Sequence, residues 1–523
     1  MASHSLKDDG VVVVIGSGAG GGTLAHELTR RGMKVVLLEA GKRESLASFS
    51  QEPGAAFAQL TWLDPRTSSG TWAVAKNSPE MPAWLAKTVG GTTTHWSGVT
   101  PRLCDWETQA RSTYGQIADA SLIDWPIPYS ELASYVELAE RRMFVTRRHG
   151  MPGLPATNNF KVMYAGATRL GYHRVHTGYL AINSQAQDGR GMCTQQGFCI
   201  QGCKTGAKWS TLYTEIPRAE ATGRLDLRIQ ATATRIEHGV DGQVNAVLYR
   251  DAAGQEQRQK ARLVCVAGNA LETARLLLLS ESAKYPHGLA NSSDQVGRHY
   301  CHHVLGFTVG VFDKPVYMWR GTSQAGLVED EVINDPKRGF VGGYYLQLVN
   351  FDPAALVQAA LPYGWGRDQA SVMDNYRNLA AVMMVGEDLP RATNRITLST
   401  AKKDSYGLPV AHVHVDEHVN DIAMRAHGRR QMSRLFEAAG AKRVLHSEGS
   451  PAATHNLGTA RMSADPRDGV TNSWGQTHDI RNLFISDGST FSTAAAANPT
   501  LTIVALALRQ AEYISRQVQA HEL

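Results

Sequence analysis

The sequence predicts an α/β protein: one domain built on a parallel sheet that holds a dinucleotide, and a second, α+β domain that carries an antiparallel sheet. Three observations predict this. A buried-type apolar run, Val11–Ile15, leads directly into a glycine-rich turn. At 523 residues the chain is too long for one compact core. Further along, Val304–Phe312 and Pro409–Val415 alternate or run apolar like the strands of a sheet that roofs a cofactor.

Each element follows in chain order. Val11 to Ile15 is β-branched and apolar throughout, which suits a strand covered on both faces. Gly16, Gly18 and Gly21 then take G-x-G-x-x-G spacing. The first glycine permits the tight turn, the second admits a pyrophosphate, and the third lets helix pack on strand. A helix from Gly21 to about Arg31 would present its N-terminal N–H groups to that pyrophosphate. Val35–Leu38 reads as the second strand of a Rossmann-like unit. Glu39 at its end would accept from ribose hydroxyls and repel a 2′-phosphate, which disfavours NADP. Near the other terminus, Asn498-Pro499 opens an apolar helix from about Thr500 to Arg516, with Asn498 as N-cap. Its dipole would favour negative charge beside Asn498.

Composition excludes several function classes. The net charge is +5 with no long basic block, so there is no nucleic-acid footprint. The longest apolar stretches, Val11–Ile15 and Leu501–Leu508, are far short of the ~20 residues of a membrane span. Met1–Gly10 shows no secretory pattern. The expected location is therefore the cytoplasm, or the periplasm by co-export with a signal-bearing partner. The apolar segment Leu356–Trp365 lies outside any motif and reads as buried packing in preference to a lid or docking helix.

Three of the six cysteines, Cys193, Cys199 and Cys203, fall within eleven residues. Such spacing points to metal or redox work before disulfides. Three thiolates suit a three-iron cluster. Zinc would want a fourth ligand, for which His173 or His176 would have to fold back. Three inert, partly buried thiols are the plain alternative. Cys265 sits in an apolar strand and reads as structural.

Three further stretches carry candidate chemistry. Gly90-Gly91-Thr92-Thr-Thr-His95-Trp96 is a loop whose backbone donors could lie along a flavin edge, with Trp96 covering a ring. His455 stands in a short Gly/Thr-containing loop and is a candidate general base. Asn482-Leu-Phe-Ile-Ser-Asp487-Gly-Ser follows it.

Taken with Ala267-Gly-Asn-Ala-Leu-Glu-Thr-Ala-Arg-Leu-Leu-Leu, His455-x-x-Gly-Thr and Asn498-Pro-Thr-Leu-Thr, these motifs resemble, in order and over nearly the whole chain, the glucose–methanol–choline (GMC) oxidoreductases. Within that family the chain looks most like catalytic subunits of bacterial FAD-dependent glucose, fructose, gluconate and glucoside 3-dehydrogenases. His287–Arg298 and the cysteine spacing carry that likeness. The glucose dehydrogenase type has an adjacent cysteine pair where this chain has Cys193-Thr194.

The resemblance implies an α/β Rossmann-like FAD-binding domain from residues 8–105, 210–300 and 445–523. It implies an α+β substrate domain with an antiparallel sheet over 300–445, and an insertion, 106–209, that carries the cysteines. It implies FAD as cofactor, held by Gly16, Gly18, Gly21, Glu39, Gly91, Thr92, His95, Trp96, Ala233, Asp487 and Asn498. His95 occupies the place where pyranose oxidases link flavin covalently. His455 and Asn498 become the catalytic pair. The expected activity is oxidation of a hydroxyl of a sugar, glycoside or sugar acid. Electrons would then pass through a 3Fe-4S cluster on Cys193, Cys199 and Cys203 to a cytochrome c or quinone partner. The alternative is an oxidase that uses O2, for example on C-glycosides. A non-redox lyase on the same scaffold is the third reading.

Overall fold

The computed structural model describes residues 2–52, 60–61, 67–71, 85–350, 365–446 and 455–523. Most of the Leu356–Trp365 segment lies outside them.

Five parallel strands form the central sheet, in the order Leu483–Ile485, Leu263–Val266, Val12–Ile15, Val35–Glu39, Leu225–Ile229. Every residue of Val12–Ile15, Val35–Glu39 and Leu263–Val266 is buried. This is why these strands read as continuous apolar runs rather than as alternating ones. Helices Ala19–Arg30 and Thr500–Gln519 pack together on this sheet. Beside it lies a three-stranded antiparallel sheet, Glu256–Lys260, Val244–Arg250 and Thr232–His238.

The second large layer is a six-stranded, antiparallel sheet. Its order is Arg443–His446, Val304–Val311, Leu379–Gly386, Tyr344–Leu348, Leu327–Val328, Val175–His176. Leu379–Gly386 is buried along its whole length. Helices Asn158–Arg169 and Val419–Ala439 cover one face. Stretches 106–209 and 443–446 therefore both contribute strands to it.

Pro409–Val415 is a strand, but not in this roofing sheet. It pairs with Arg395–Lys403 and Ser68–Gly70 in a separate small sheet. Ala411, Val413 and Val415 pack into the core that also holds Val13 and Ile15 of the parallel sheet. Alternation marks one buried face and does not say which layer that face meets.

No helix among the described residues is long and apolar enough to cross a membrane.

Candidate active site

The glycine turn is shaped for close backbone approach. Gly16 has φ +97°, and a Cβ there would sit 2.3 Å from the Ala267 carbonyl oxygen. A Cβ on Gly21 would meet the Gly16 carbonyl oxygen at 2.0 Å. Gly18 differs: a Cβ on it would meet nothing within 4 Å. It precedes helix Ala19–Arg30, which has no side-chain cap. Open space at an uncapped helix N-terminus is what a pyrophosphate requires, so these residues fit a dinucleotide. Gly91 comes next to this gap, its position for a Cβ lying 3.0 Å from the Gly18 Cα. The Gly90 N–H donates to Ser17 Oγ (2.9 Å), which pins the loop bearing Gly91 and Thr92 to the turn.

Glu39 is buried, and burial raises its pKa. Its carboxylate accepts from Ser17 N (3.1 Å), Ser17 Oγ (2.6 Å) and Gly41 N (2.8 Å). Ala231 N donates to the Glu39 carbonyl (2.9 Å), which brings the start of the strand bearing Ala233 alongside. Asp487 is likewise buried and accepts from Asn269 N (3.0 Å), Thr273 Oγ1 (2.6 Å) and Ser489 N (2.9 Å). These bonds lock the Asp487 loop to the strand-to-helix turn at Asn269.

His95 and Trp96 follow a short 3-10 turn, Gly91–Thr94. His95 Nδ1 donates to the Ile200 carbonyl (3.0 Å). Nε2 is therefore the lone-pair nitrogen, and it is buried without a hydrogen-bond partner. Burial first, then the nearby Lys208 ammonium, push the His95 pKa down to about 4, so the ring is neutral. Lys208 was not singled out from sequence. Its Nζ is fully buried and donates to the carbonyls of Thr94 (2.9 Å), Trp96 (2.7 Å) and Cys199 (2.5 Å). One ammonium thus ties the His95–Trp96 loop to the cysteine loop.

The cysteines do not form the expected centre. Cys193 Sγ lies 3.4 Å from Thr322 Oγ1, whereas Cys203 Sγ meets Thr205 Oγ1 at 3.5 Å and accepts from Lys208 N at 3.5 Å. All three pack against an apolar cluster of Val99, Leu154, Leu180, Ile182, Ala207 and Ala325. Burial pushes the Cys193 thiol pKa up, against thiolate formation. His176, weighed as a fourth ligand, is held by Glu329 at 2.9 Å. Among the described residues no group of three or more His, Cys, Asp or Glu side chains is placed to hold a metal ion. The 3Fe-4S expectation is therefore not supported: spacing brings three thiols into one loop region, but no ligand group for a metal ion forms there among the described residues.

His455 and Asn498, 43 residues apart, do meet: Asn498 Nδ2 lies 3.4 Å from His455 Nε2. Asn498 was expected to cap the C-terminal helix. Instead the helix begins at Thr500 with no side-chain cap, and the Asn498 amide turns into the site. Its Oδ1 accepts from Gln347 Nε2 (2.5 Å) on the roofing strand Tyr344–Leu348. On the other side, His455 Nδ1 lies 2.6 Å from His303 Nδ1, with the rings nearly perpendicular at 83°.

The fold brings these residues together through two contacts. Cys301 and Leu457 exchange backbone hydrogen bonds (3.2 and 3.0 Å), which aligns the segment entering Val304–Val311 with the His455 loop. Buried Glu107 accepts from Ala496 N (2.7 Å) and Cys104 N (2.6 Å), fixing the stretch before Asn498. Burial pushes the Glu107 pKa up to about 7. His303 has φ +66°, a left-handed conformation that costs a non-glycine residue about 1–3 kcal/mol and clusters at functional sites.

The polarity of this chain follows from one atom. The Ala494 carbonyl can only accept, so His303 Nε2 (3.3 Å away) carries the proton. Burial pushes the His303 pKa down to about 4, so the ring is neutral and its Nδ1 accepts. His455 Nδ1 then donates, and His455 Nε2 is left with the lone pair. Burial, His303 and His302 together hold the His455 pKa well below the usual histidine value. The site thus offers a neutral base nitrogen and, beside it, an amide donor. A substrate hydroxyl placed there would donate its proton to His455 and accept from Asn498.

Sequence reasoning missed His303, Gln347, Lys208 and Glu107. A signal existed for two of them. Gln347 is the lone polar residue in Tyr344-Tyr-Leu-Gln347-Leu, and His303 ends the pair His302-His303.

Comparison with known proteins then decides the family. The GMC oxidoreductase profiles match residues 66–305 and 390–507, and an NAD(P)-binding Rossmann-like profile matches residues 14–62. A 2-methyl-1,2-propanediol dehydrogenase from Mycolicibacterium austroafricanum is 32% identical, over 97% of this chain and 95% of its own. The chain belongs to the GMC oxidoreductases. It is an FAD-dependent oxidoreductase acting on CH–OH groups. Other GMC relatives are the fructose dehydrogenase large subunit of Gluconobacter japonicus, 30% identical over 98% and 99% of the two chains, and paromamine 6′-oxidase of Streptomyces fradiae, 30% identical over 96% and 91%. Formate oxidase from Aspergillus oryzae RIB40 shares the GMC fold, with a TM-score of 0.69 at 15% identity over 98% and 99% of the chains.

Proposed function

We propose that the chain oxidises one hydroxyl of a hydroxyl-rich substrate, a sugar, glycoside or sugar acid, and passes the electrons directly to O2. The observation that carries the hydroxyl chemistry is the neutral His455 Nε2 facing Asn498 Nδ2. FAD, when bound, supplies the hydride acceptor. Gly16, Gly18, Gly21, Gly91, Thr92 and Asp487 would hold its pyrophosphate and ribityl region. Glu39 and Ala233 would meet the adenosine end, with His95 and Trp96 at the flavin ring. The domain division given above is proposed on the same footing.

The chain's own residues perform the proton work. His455 Nε2 takes the hydroxyl proton as hydride departs the carbinol carbon. Asn498 Nδ2 holds the oxygen and limits its wandering. His303 accepts from His455 Nδ1, so the ring cannot present the wrong nitrogen.

A base works only when deprotonated, so a depressed pKa moves the acid limb of the rate downward. The kcat/KM for flavin reduction by substrate should therefore stay level as pH falls through 6.5, the ordinary histidine value. A halving of the rate near that pH would show that burial and His303 do not act on the base as described.

Direct electron transfer is favoured by the oxidase among the relatives and by the lack, among the described residues, of a His, Cys, Asp or Glu group placed to hold a metal ion. The dehydrogenases among the relatives favour a second reading, transfer to a partner protein. The deciding experiment is iron and acid-labile sulfide per flavin on anaerobically purified protein, with oxygen uptake on turnover. No iron, with oxygen uptake coupled to substrate oxidation, is expected. Near three irons per flavin would overturn the direct route.

A further inference from the structure

The hydrogen-bond chain through His455 has one open end. From the Ala494 carbonyl outward, His303 donates, His455 donates to His303, Asn498 Nδ2 faces His455 Nε2, and Gln347 Nε2 donates to Asn498 Oδ1. Each amide is thereby oriented: Asn498 must show its NH2 to the lone pair of His455, and Gln347 must show its NH2 to the Asn498 oxygen. What remains is Gln347 Oε1. Gln347 is fully buried, and this oxygen has no hydrogen-bond partner. Buried acceptors are rarely left unpaired, and each such case calls for an explanation.

We propose that Gln347 Oε1 accepts a second substrate hydroxyl, on the carbon next to the one oxidised, so that the site selects 1,2-diols and sugars over simple alcohols. This rests on the hydroxyl-oxidising reading above. Distance allows it. An amide is about 2.3 Å from O to N and the two amides are 2.5 Å apart, so Asn498 Nδ2 and Gln347 Oε1 are at most about 7 Å apart. One oxygen bonded at Asn498 and its vicinal neighbour bonded at Gln347, with hydrogen bonds of about 2.8 Å, span that gap. A simple alcohol leaves the buried acceptor unpaired where a vicinal hydroxyl would pair it, a difference of roughly 10- to 100-fold in kcat/KM. An ether oxygen in the same place fails equally, because it has no proton to donate.

The test uses the FAD-bound full chain and anaerobic flavin reduction. The probes are 1,2-propanediol, 1-propanol and 2-methoxy-1-propanol, together with methyl α-D-glucopyranoside and its monodeoxy and mono-O-methyl forms. Product analysis identifies the oxidised carbon. Loss of the neighbouring hydroxyl, by deletion or by methylation, should lower kcat/KM at least tenfold, whereas loss of a remote one should not. In Gln347→Leu both classes slow, because Asn498 loses its anchor, but the diol-to-monoalcohol ratio should collapse to within about threefold of unity. A wild-type enzyme indifferent to the neighbouring hydroxyl, or a ratio unchanged in Gln347→Leu, overturns the proposal and leaves the activity standing. If no probe reduces the flavin of the wild-type protein, both this proposal and the hydroxyl-oxidising reading fall. Should the leucine variant lose FAD, the wild-type comparison of hydroxyl, deoxy and methoxy probes decides alone.

Discussion

His455→Ala should lower the rate of flavin reduction by substrate 10²–10⁴-fold, the typical contribution of a placed general base, with FAD still bound. The size follows from the position of the imidazole. Its Nε2 is the one neutral nitrogen lone pair facing the Asn498 amide, and its other nitrogen is committed to His303 at 2.6 Å. Alanine removes the acceptor of the hydroxyl proton and leaves Asn498 to hold an alcohol that nothing deprotonates. The dinucleotide cradle lies on other elements, so flavin content should not change. Stopped-flow reduction under anaerobic conditions reads the chemical step apart from reoxidation. A loss under tenfold would remove His455 from the role of base.

Lys208→Met should destabilise the protein by about 2–5 kcal/mol and release FAD at lower temperature. Burying an ammonium is costly, and burial accordingly pushes the Lys208 pKa down to about 8. Methionine removes that cost. It also strands the carbonyls of Thr94, which is buried, and of Trp96 and Cys199, which are part-buried, each losing a charge-assisted bond. An unsatisfied buried acceptor costs about 1–3 kcal/mol, so the three together outweigh the relief. The damage falls on the loop that carries His95 and Trp96, which is why flavin release, followed by its fluorescence, should precede global unfolding. An unchanged melting temperature would show that water or backbone shifts satisfy those carbonyls without the ammonium.

The parallel sheet and its glycine turn were legible because their signals are local. Val11–Ile15 needs no partner to read as a doubly buried strand, and only glycine fits at Gly16. The proposed catalytic pair came from motif resemblance, and the structure places His455 and Asn498 side by side. What failed or was missed depends on tertiary contacts. Asn498-Pro499 has the sequence of a capped helix start, yet the amide is drawn away by Gln347, more than 150 residues earlier. Pro409–Val415 alternates as a roofing strand would, but its apolar face packs into the core around Val13 and Ile15. Cys193, Cys199 and Cys203 have cluster spacing, which constrains chain separation and not where sulfurs point. His303, Gln347 and Lys208 carry no motif; their importance comes from burial and from the single orientation each hydrogen bond allows.

The measurement that tests this account most directly is anaerobic titration of the FAD-bound protein with a panel of sugars and 1,2-diols, watching the flavin absorbance. Bleaching by members of the panel, with return of the colour on admitting oxygen, is the predicted result. Protein that binds FAD stoichiometrically and stays fully yellow with every member would contradict the assignment of His455 and Asn498 as an alcohol-oxidising pair.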